Sequence, residues 1–211
     1  MVEERNNRGA FICNGASNHS VTGERHPQDY YATEPKALEK FLQKFKEDGE
    51  EISPTVWECA CGGGHLVDAL HNMGYGVFYT DIVDYGYPDT ILLDFLGEPP
   101  FSNPDKKVNM DIITNPPYSM AKEFIERALE LVEDGRKVAM LLKLTFLESK
   151  KRRELFEKYP PKYIYVSSSR LQCAKNGDFE TYKNGTGTAI AYGWFVWEKG
   201  YKGEPVVRWF N

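Results

Sequence analysis

The part of the sequence that carries the most chemistry is Asp-Ile-Ile-Thr-Asn-Pro-Pro-Tyr, residues 111–118. Its first four residues predict a short buried strand. Two prolines end that strand at once, because proline has no N–H group and a fixed φ. An ordinary turn would favour Gly, Asp or Ser at such a corner. The prolines therefore predict a rigid ledge that fixes the directions of the Asn115 amide and the Tyr118 ring.

Such a ledge suits an exocyclic amine as the substrate. The amino group of adenine is a poor nucleophile because its lone pair is delocalised into the ring. Hydrogen bonds from this group to the Asn115 side-chain oxygen and the Pro116 carbonyl oxygen would draw it toward tetrahedral geometry, while the Tyr118 ring would stack on the base. Acceptors held still by Pro116 and Pro117 would lower the barrier by positioning the amine.

A glycine-rich turn precedes the ledge in the chain. The stretch 56–66 predicts a strand ending at Glu58, then Gly62 to Gly64, then a helix. Glycines let a ligand approach the backbone closely, and a helix N-terminus offers free N–H groups. The spacing does not fit the dinucleotide fingerprint, and a carboxylate before the turn suits a cationic ligand better than a pyrophosphate. The stretch indicates a nucleoside-type cofactor, with a structural turn as the alternative.

Two further strand ends carry acidic side chains that suit a nucleoside. Asp81 ends the predicted strand Val-Phe-Tyr-Thr-Asp and would accept the two hydroxyl protons of a ribose. Asp94 and Phe95 follow Ile-Leu-Leu and would meet the amino group and the ring face of an adenine. Each residue taken alone could equally cap the next element. In order with the glycine turn, they describe an adenosine.

The secondary-structure pattern predicts an α/β fold. Seven strands are predicted, at Thr-Val-Trp-Glu-Cys, Gly-Val-Phe-Tyr-Thr-Asp, Thr-Ile-Leu-Leu-Asp-Phe, Val-Asn-Met-Asp-Ile-Ile-Thr-Asn, Lys-Val-Ala-Met-Leu-Leu-Lys-Leu, Lys-Tyr-Ile-Tyr-Val-Ser-Ser and Thr-Ala-Ile-Ala-Tyr-Gly-Trp-Phe-Val-Trp-Glu-Lys. Predicted helices, one of them continuous over 147–159, separate most of them, which indicates one mainly parallel sheet with helices on both faces. The length of 211 residues fits one domain, predicted at 29–211 after a flexible arm at 1–28.

Composition limits the partners and the compartment. The net charge is −5, yet the segment 143–175 carries nine Lys/Arg against three Asp/Glu. A basic face can hide within an acidic average, although a solvated helix surface explains the same run. The four cysteines have no paired metal spacing and fit a reducing cytoplasm. The longest apolar stretch, 138–147, contains Lys143 and is too short to span a membrane.

The motifs together resemble those of the S-adenosylmethionine-dependent amino-methyltransferases, above all the N6-adenine DNA methyltransferases. Residues 111–118 resemble motif IV of that family, and 58–64 resemble motif I, with Cys59 where proline is commoner. Asp-Tyr-Tyr-Ala-Thr-Glu-Pro, 29–35, resembles motif X, which closes over the methionine end of the cofactor. This order is similar to the class whose target-recognition region follows the catalytic motifs, and the chain resembles small phage-type members.

The resemblance implies a Rossmann-like methyltransferase fold, S-adenosylmethionine as cofactor, S-adenosylhomocysteine as its product and the N6 amine of adenine in DNA as methyl acceptor. It implies catalytic roles for Asn115, Pro116, Pro117 and Tyr118, and no metal. The implied cofactor contacts are Tyr31, Thr33, Pro35, Glu58, Cys59, Ala60, Gly62, Gly63, Gly64, Asp81, Ile82, Asp94, Phe95 and Asn115. It also implies a bacterial or phage-encoded protein of the cytoplasm.

The large recognition domain of bigger family members has no counterpart here, so we expect DNA that is single-stranded or carries a short recognition sequence. Only the segment 147–187 is available to contact it. The candidate substrate-binding residues in this segment are Lys150, Lys151, Arg152, Arg153, Arg170 and Lys175. Phosphate contacts from these cations would make DNA binding strongly salt-dependent.

Two alternatives stay open at this point. Methyltransferases that act on RNA or on a protein glutamine resemble the chain in the same Asn-Pro-Pro-aromatic ledge. A non-catalytic protein of this fold that binds a cofactor or a nucleic acid is the second alternative. The intact ledge at 115–118 argues against the second, because loss of catalysis would be expected to erode those residues first.

Overall fold

The structure is a computed structural model that describes residues 31–97, 106–169, 171, 173–175 and 190–211. The predicted arm at 1–28 and the candidate contact Arg170 lie outside the described residues. The proposed domain boundary at residue 29 stays a prediction.

The strands and helices follow the predicted alternation. The strands are β1 (Tyr31–Thr33), β2 (Thr55–Glu58), β3 (Gly76–Asp81), β4 (Ile91–Leu92), β5 (Asp111–Thr114), β6 (Lys137–Lys143), β7 (Tyr163–Ser167), β8 (Cys173–Lys175), β9 (Tyr192–Glu198) and β10 (Val206–Phe210). The helices are α1 (Pro35–Glu47), α2 (His65–Asn72), α3 (Ala121–Leu131) and α4 (Arg153–Lys158). Short 3-10 turns occupy Tyr118–Met120, Leu144–Leu147 and Lys150–Arg152.

Eight strands form the main sheet, in the order β10-β7-β9-β6-β5-β2-β3-β4. Neighbouring strands are parallel except for β9, which runs antiparallel between β6 and β7. All seven predicted strands are present, and the predicted α/β class with a mainly parallel sheet is confirmed. The eighth strand, β10, was not predicted. It pairs in parallel with β7 at one edge of the sheet.

Two apolar clusters cover the two faces of this sheet. The first cluster consists mainly of residues of α1 and α2 and the strand residues that face them. The second consists mainly of residues of α3 and α4 and the strand residues on the opposite face of the sheet. In α1 the Phe41 ring stacks on Trp194 of β9, with centroids 4.9 Å apart and planes 12° apart. Both side chains are fully buried. Of the helices that the structure describes, none is long and apolar enough to cross a membrane.

The strand order reverses at β2, and this reversal creates the site. From β2 the chain adds β3 and β4 on one side and later β5 and β6 on the other. In a sheet of this kind a crevice opens at the carboxyl ends of the two strands that flank the reversal. At the opposite end, the buried Asp111 carboxylate accepts hydrogen bonds from the backbone N–H groups of Ser53 (2.7 Å) and Lys137 (2.8 Å). These hydrogen bonds fix the start of β5 relative to its neighbouring segments.

Replacing Phe41 tests how much of the stability depends on the face that α1 covers. Phe41→Ala should lower the free energy of unfolding by about 3–5 kcal/mol, because a large ring is lost from a packed core. The measurement is urea denaturation followed by circular dichroism. Phe41→Leu, the matched control, should lose clearly less. Equal losses in the two variants would contradict a packing role for the ring.

Candidate active site at the carboxyl ends of the strands

The glycine turn is fastened to the end of β3. Gly62 and Gly64 have φ angles of 53° and 79°, which favour glycine. The Asp81 carboxylate accepts hydrogen bonds from the backbone N–H groups of Gly62 (2.8 Å) and Val83 (3.0 Å). Burial raises the pKa of Asp81, and these hydrogen bonds oppose the rise. Asp81 therefore shapes the turn, and its carboxylate keeps lone-pair capacity for a ligand.

The Tyr87 ring lies directly on the glycine turn, a contact that sequence reasoning missed. A Cβ atom placed on Gly64 would come 2.0 Å from this ring, so no larger residue fits there without displacement of Tyr87. The Tyr87 hydroxyl donates a 2.7 Å hydrogen bond to Asp68 of α2. An aromatic residue among Gly, Pro and Asp residues was the only sequence signal, and it says nothing about which surface the ring contacts.

Glu58 is a buried carboxylate without a balancing charge among the described residues. It ends β2 with 1% of its surface exposed, and no ion pair involves it in the described part of the chain. Its Oε1 accepts a 3.1 Å hydrogen bond from the Ala60 N–H. Burial raises the pKa of Glu58 to about 8, and the Asp81 charge adds to the rise, while the Ala60 N–H opposes it.

The ends of β2, β5 and β1 each carry a buried oxygen atom without a hydrogen-bond partner within the described ranges. These atoms are Glu58 Oε2, Thr114 Oγ1 at the end of β5 and Thr33 Oγ1 at the end of β1. β1 lies against α2, the helix that follows the glycine turn. A buried polar group without a partner costs about 1–3 kcal/mol, so such groups usually mark the place of a ligand or a water.

The predicted ledge ends β5 at the same edge of the sheet. Pro116 is buried, Asn115 is half-buried, and the chain then enters the 3-10 turn that begins at Tyr118. The Tyr118 ring contacts the Tyr192 ring at 5.7 Å between centroids. The Lys143 ammonium lies 4.8 Å from the Tyr118 ring centroid. The contacts from Tyr192 and Lys143 were not predicted, since only strand pairing between β6 and β9 brings these two residues together.

The residues predicted to bind adenine divide into one exposed and one buried side chain. Asp94 is exposed and caps its own turn by accepting a hydrogen bond from the Leu96 N–H. The Phe95 ring is buried against Trp57 (5.2 Å between centroids) and Phe124 (5.0 Å). The structure thus places this ring in the core. An adenine contact at either residue stays a prediction.

The remaining candidate cofactor contacts differ in burial and position. Cys59 is buried, and desolvation raises the pKa of its thiol. Ala60 is half-buried, Ile82 is exposed, and Pro35 begins α1. Tyr31 lies in β1, which pairs antiparallel with β8. This two-stranded sheet joins the segment resembling motif X to the candidate recognition segment.

The predicted basic residues do not all face solvent. Lys150, Lys151 and Arg153 are exposed, and Arg153 forms an ion pair with Glu157 at 2.6 Å. Arg152 instead folds back: its guanidinium donates hydrogen bonds to the carbonyl oxygens of Phe146 (2.7 Å), Glu148 (3.0 Å) and Thr145 (3.1 Å). One continuous helix was expected from 147 to 159. The structure has a 3-10 turn followed by the short α4, which corrects that prediction.

Lys175 pairs through its backbone with Tyr31, at the end of β8. No group of three or more His, Cys, Asp or Glu side chains suited to a metal ion occurs in the ranges that the structure describes.

Solved structures similar to this one include several methyltransferases. A type I restriction-modification methyltransferase subunit from Streptococcus thermophilus has a TM-score of 0.57 and 13% identity, covering 85% of this chain and 47% of that chain. A proposed RNA methyltransferase from Pyrococcus horikoshii has a TM-score of 0.51 and 14% identity, covering 78% and 83%. A proposed class I S-adenosylmethionine-dependent methyltransferase from Listeria monocytogenes has a TM-score of 0.52 and 15% identity, covering 83% and 61%.

The chain has the class I methyltransferase fold. At these identities the likeness establishes the fold alone. The chain spans less than two thirds of the Streptococcus and Listeria proteins. No protein-family model and no curated protein sequence matches it. The predicted Rossmann-like methyltransferase fold is confirmed, with the glycine turn and the Asn-Pro-Pro-Tyr ledge at neighbouring strand ends.

Glu58→Gln should change how stability depends on pH. The folded protein keeps the Glu58 proton up to about pH 8, whereas the unfolded chain releases it near its ordinary value of 4.5. The stability that this group contributes is therefore complete below 4.5 and is lost as pH rises through about 8. At about pH 8 the variant should melt at least 2–4 °C higher than the wild type, roughly the shift for 1 kcal/mol in a chain of this size.

The measurement is thermal denaturation across this pH range. Glu39→Gln, which removes an exposed carboxylate of α1, is the control and should melt like the wild type. A difference between Glu58→Gln and the wild type that does not grow with pH would contradict the buried-carboxylate explanation.

Proposed function

We propose that the chain transfers a methyl group from S-adenosylmethionine to the N6 amine of adenine in DNA. The observation that carries this proposal is the buried Glu58 side chain, which has an unpartnered oxygen and, once ionised, no counter-charge in the described structure. A cationic ligand group at the carboxyl end of β2 would satisfy both needs. The α-ammonium group of the cofactor is such a cation.

The other residues of the crevice fit the rest of this cofactor. The turn at Gly62 to Gly64 lets a ligand approach the backbone, and Asp81 has lone pairs for ribose hydroxyls. The unpartnered hydroxyls of Thr33 and Thr114 offer two more polar contacts. When bound, S-adenosylmethionine supplies an electrophilic methyl group on a positively charged sulfur.

The ledge would act on the amine that accepts the methyl group. The Asn115 side-chain oxygen and the Pro116 carbonyl oxygen would accept its two hydrogens, so the nitrogen lone pair no longer points into the ring. Tyr118 would hold the base by stacking. The methylated nitrogen carries a positive charge and releases its proton to water, so no side chain has to act as a base. The rate gain would come from positioning and from fixed dipoles.

The exposed cations Lys150, Lys151 and Arg153 support a nucleic-acid substrate, as do the names of two structural neighbours, a restriction-modification subunit and a proposed RNA methyltransferase. RNA adenine is the second candidate, which the latter neighbour favours. A target base in a duplex would have to be flipped out at a cost of a few kcal/mol, less in a single strand. Single-stranded DNA is therefore the first substrate to test.

The first experiment is calorimetric titration of S-adenosylmethionine between about pH 6 and pH 8. Affinity should rise with pH by up to about tenfold per unit, because ligand binding requires ionised Glu58. It should level off near pH 8, where the ligand's own amine begins to lose its proton at about 7.7–8.0. Glu58→Gln should bind weakly at every pH. Tight binding by that variant would contradict the proposed role of Glu58.

The second experiment identifies the acceptor. Tritium from labelled S-adenosylmethionine is followed into unmethylated DNA, RNA and protein, with nucleoside mass spectrometry of the products. Label in N6-methyladenine of DNA supports the proposal. Label in RNA or protein alone would overturn the DNA assignment and keep the chemistry, and cofactor binding with no acceptor would overturn the enzyme itself.

Tyr118→Ala should lower turnover more than tenfold and leave cofactor affinity nearly unchanged, because the ring would contact the base and not the cofactor. Steady-state kinetics and calorimetry measure the two effects. Tyr118→Phe, which keeps the ring, is the control and should retain most of the turnover. A collapse of cofactor binding in Tyr118→Ala would contradict this assignment.

A further inference from the structure

A pocket of about 180 Å³ opens beside the ledge. Its lining includes Tyr118 and Ser119, which belong to the ledge and the turn that follows it. It also includes Lys143, Thr145, Phe146 and Arg152. None of the described residues that line it is acidic. The pocket thus combines an aromatic ring with two cations, and sequence reasoning had assigned nothing to Lys143, Thr145 or Phe146.

The Arg152 charge is held in place at this pocket. Three backbone carbonyl oxygens, from Thr145, Phe146 and Glu148, accept hydrogen bonds from its guanidinium. The guanidinium carbon also lies 4.5 Å from the Phe146 ring centroid. Neutral carbonyls orient a guanidinium without cancelling its charge, and arginine stays protonated in proteins. Arg152 is therefore a fixed positive charge in the wall.

Lys143 supplies a second charge on a flexible stem. It ends β6, and its ammonium lies 4.8 Å from the Tyr118 ring centroid. A cation–π contact is weaker than a charge-assisted hydrogen bond to a phosphate, so a phosphate can draw the ammonium away from the ring. A base that stacks on this face of Tyr118 would move the ammonium toward the substrate backbone.

The charges do not suit the chemistry of the proposed reaction itself. Methylation moves positive charge onto the amine nitrogen, and nearby cations oppose that change. Neither adenine nor a glutamine side chain offers a negative charge to offset this. The phosphodiester group next to a target nucleotide does.

We propose that Lys143 and Arg152 bind the phosphodiester group that adjoins the target nucleotide, in the pocket beside Tyr118. The inference rests on the proposed function and extends it, because it makes the substrate a nucleic-acid strand and not a protein amide. Lys143 is the adaptable partner and Arg152 the fixed one.

The test compares Lys143→Met with Lys40→Met, which removes an exposed lysine of α1. Methionine is an unbranched apolar side chain close to lysine in length, so the substitution mainly removes the charge. Binding of a short fluorescent single-stranded DNA is measured by anisotropy at several salt concentrations, without cofactor. Lys143→Met should weaken binding and reduce the slope of log affinity against log salt by about 0.7, the value for one single-strand phosphate contact. Lys143→Arg should restore the slope, and Lys40→Met should match the wild type.

An unchanged slope in Lys143→Met would overturn the inference, and so would an equal loss in Lys40→Met. Calorimetry of S-adenosylmethionine with the same variants separates this result from the proposed function. Lys143→Met should bind the cofactor like the wild type. A wild-type protein that binds DNA with the predicted lysine dependence but does not bind the cofactor would overturn the proposed function and leave the phosphate site standing.

Discussion

The reversal of strand order between β2 and β5 is the constraint on which the rest of the structure depends. It leaves the carboxyl ends of two central strands side by side, with Glu58 on one and Thr114 on the other. Apolar clusters on both faces of the sheet hold these strands in the interior of the protein. The polar atoms therefore cannot move toward water without disturbing the core, and they remain buried at the strand ends.

The elements around the crevice are held by contacts that leave the deepest oxygens unused. Asp81 accepts a hydrogen bond from the glycine turn, and the Tyr87 ring packs on that turn. Arg152 donates a hydrogen bond to the turn after β6. Each of these side chains has its own partners. Glu58 and Thr114 keep oxygen atoms without partners in the described structure, at a cost in stability. Proteins usually keep such unpaired polar groups at functional sites, where a ligand can supply the missing hydrogen bond.

Local pattern was sufficient to predict the sheet and the ledge. Strands such as β5 and β6 are short apolar runs bounded by turn residues. The prolines after Asn115 end a strand in any tertiary context. β10 was missed because Arg208 interrupts the short apolar run 206–210. The core position of Phe95 and the return of Arg152 to backbone carbonyls depend on contacts distant in sequence, which spacing cannot reveal.

The antiparallel course of β9 has a consequence for how such a chain can change. β7 ends and β9 begins at adjacent positions, where Val166 pairs with Gly193. The stretch between them leaves and re-enters the sheet at nearly the same point, beside Tyr192 and hence beside Tyr118. Doubling the length of a loop closed in this way costs only about 0.6 kcal/mol. Changes of sequence or length between these two strands can therefore leave the pairing of β7 with β9 intact, provided that they keep β8, which pairs with β1.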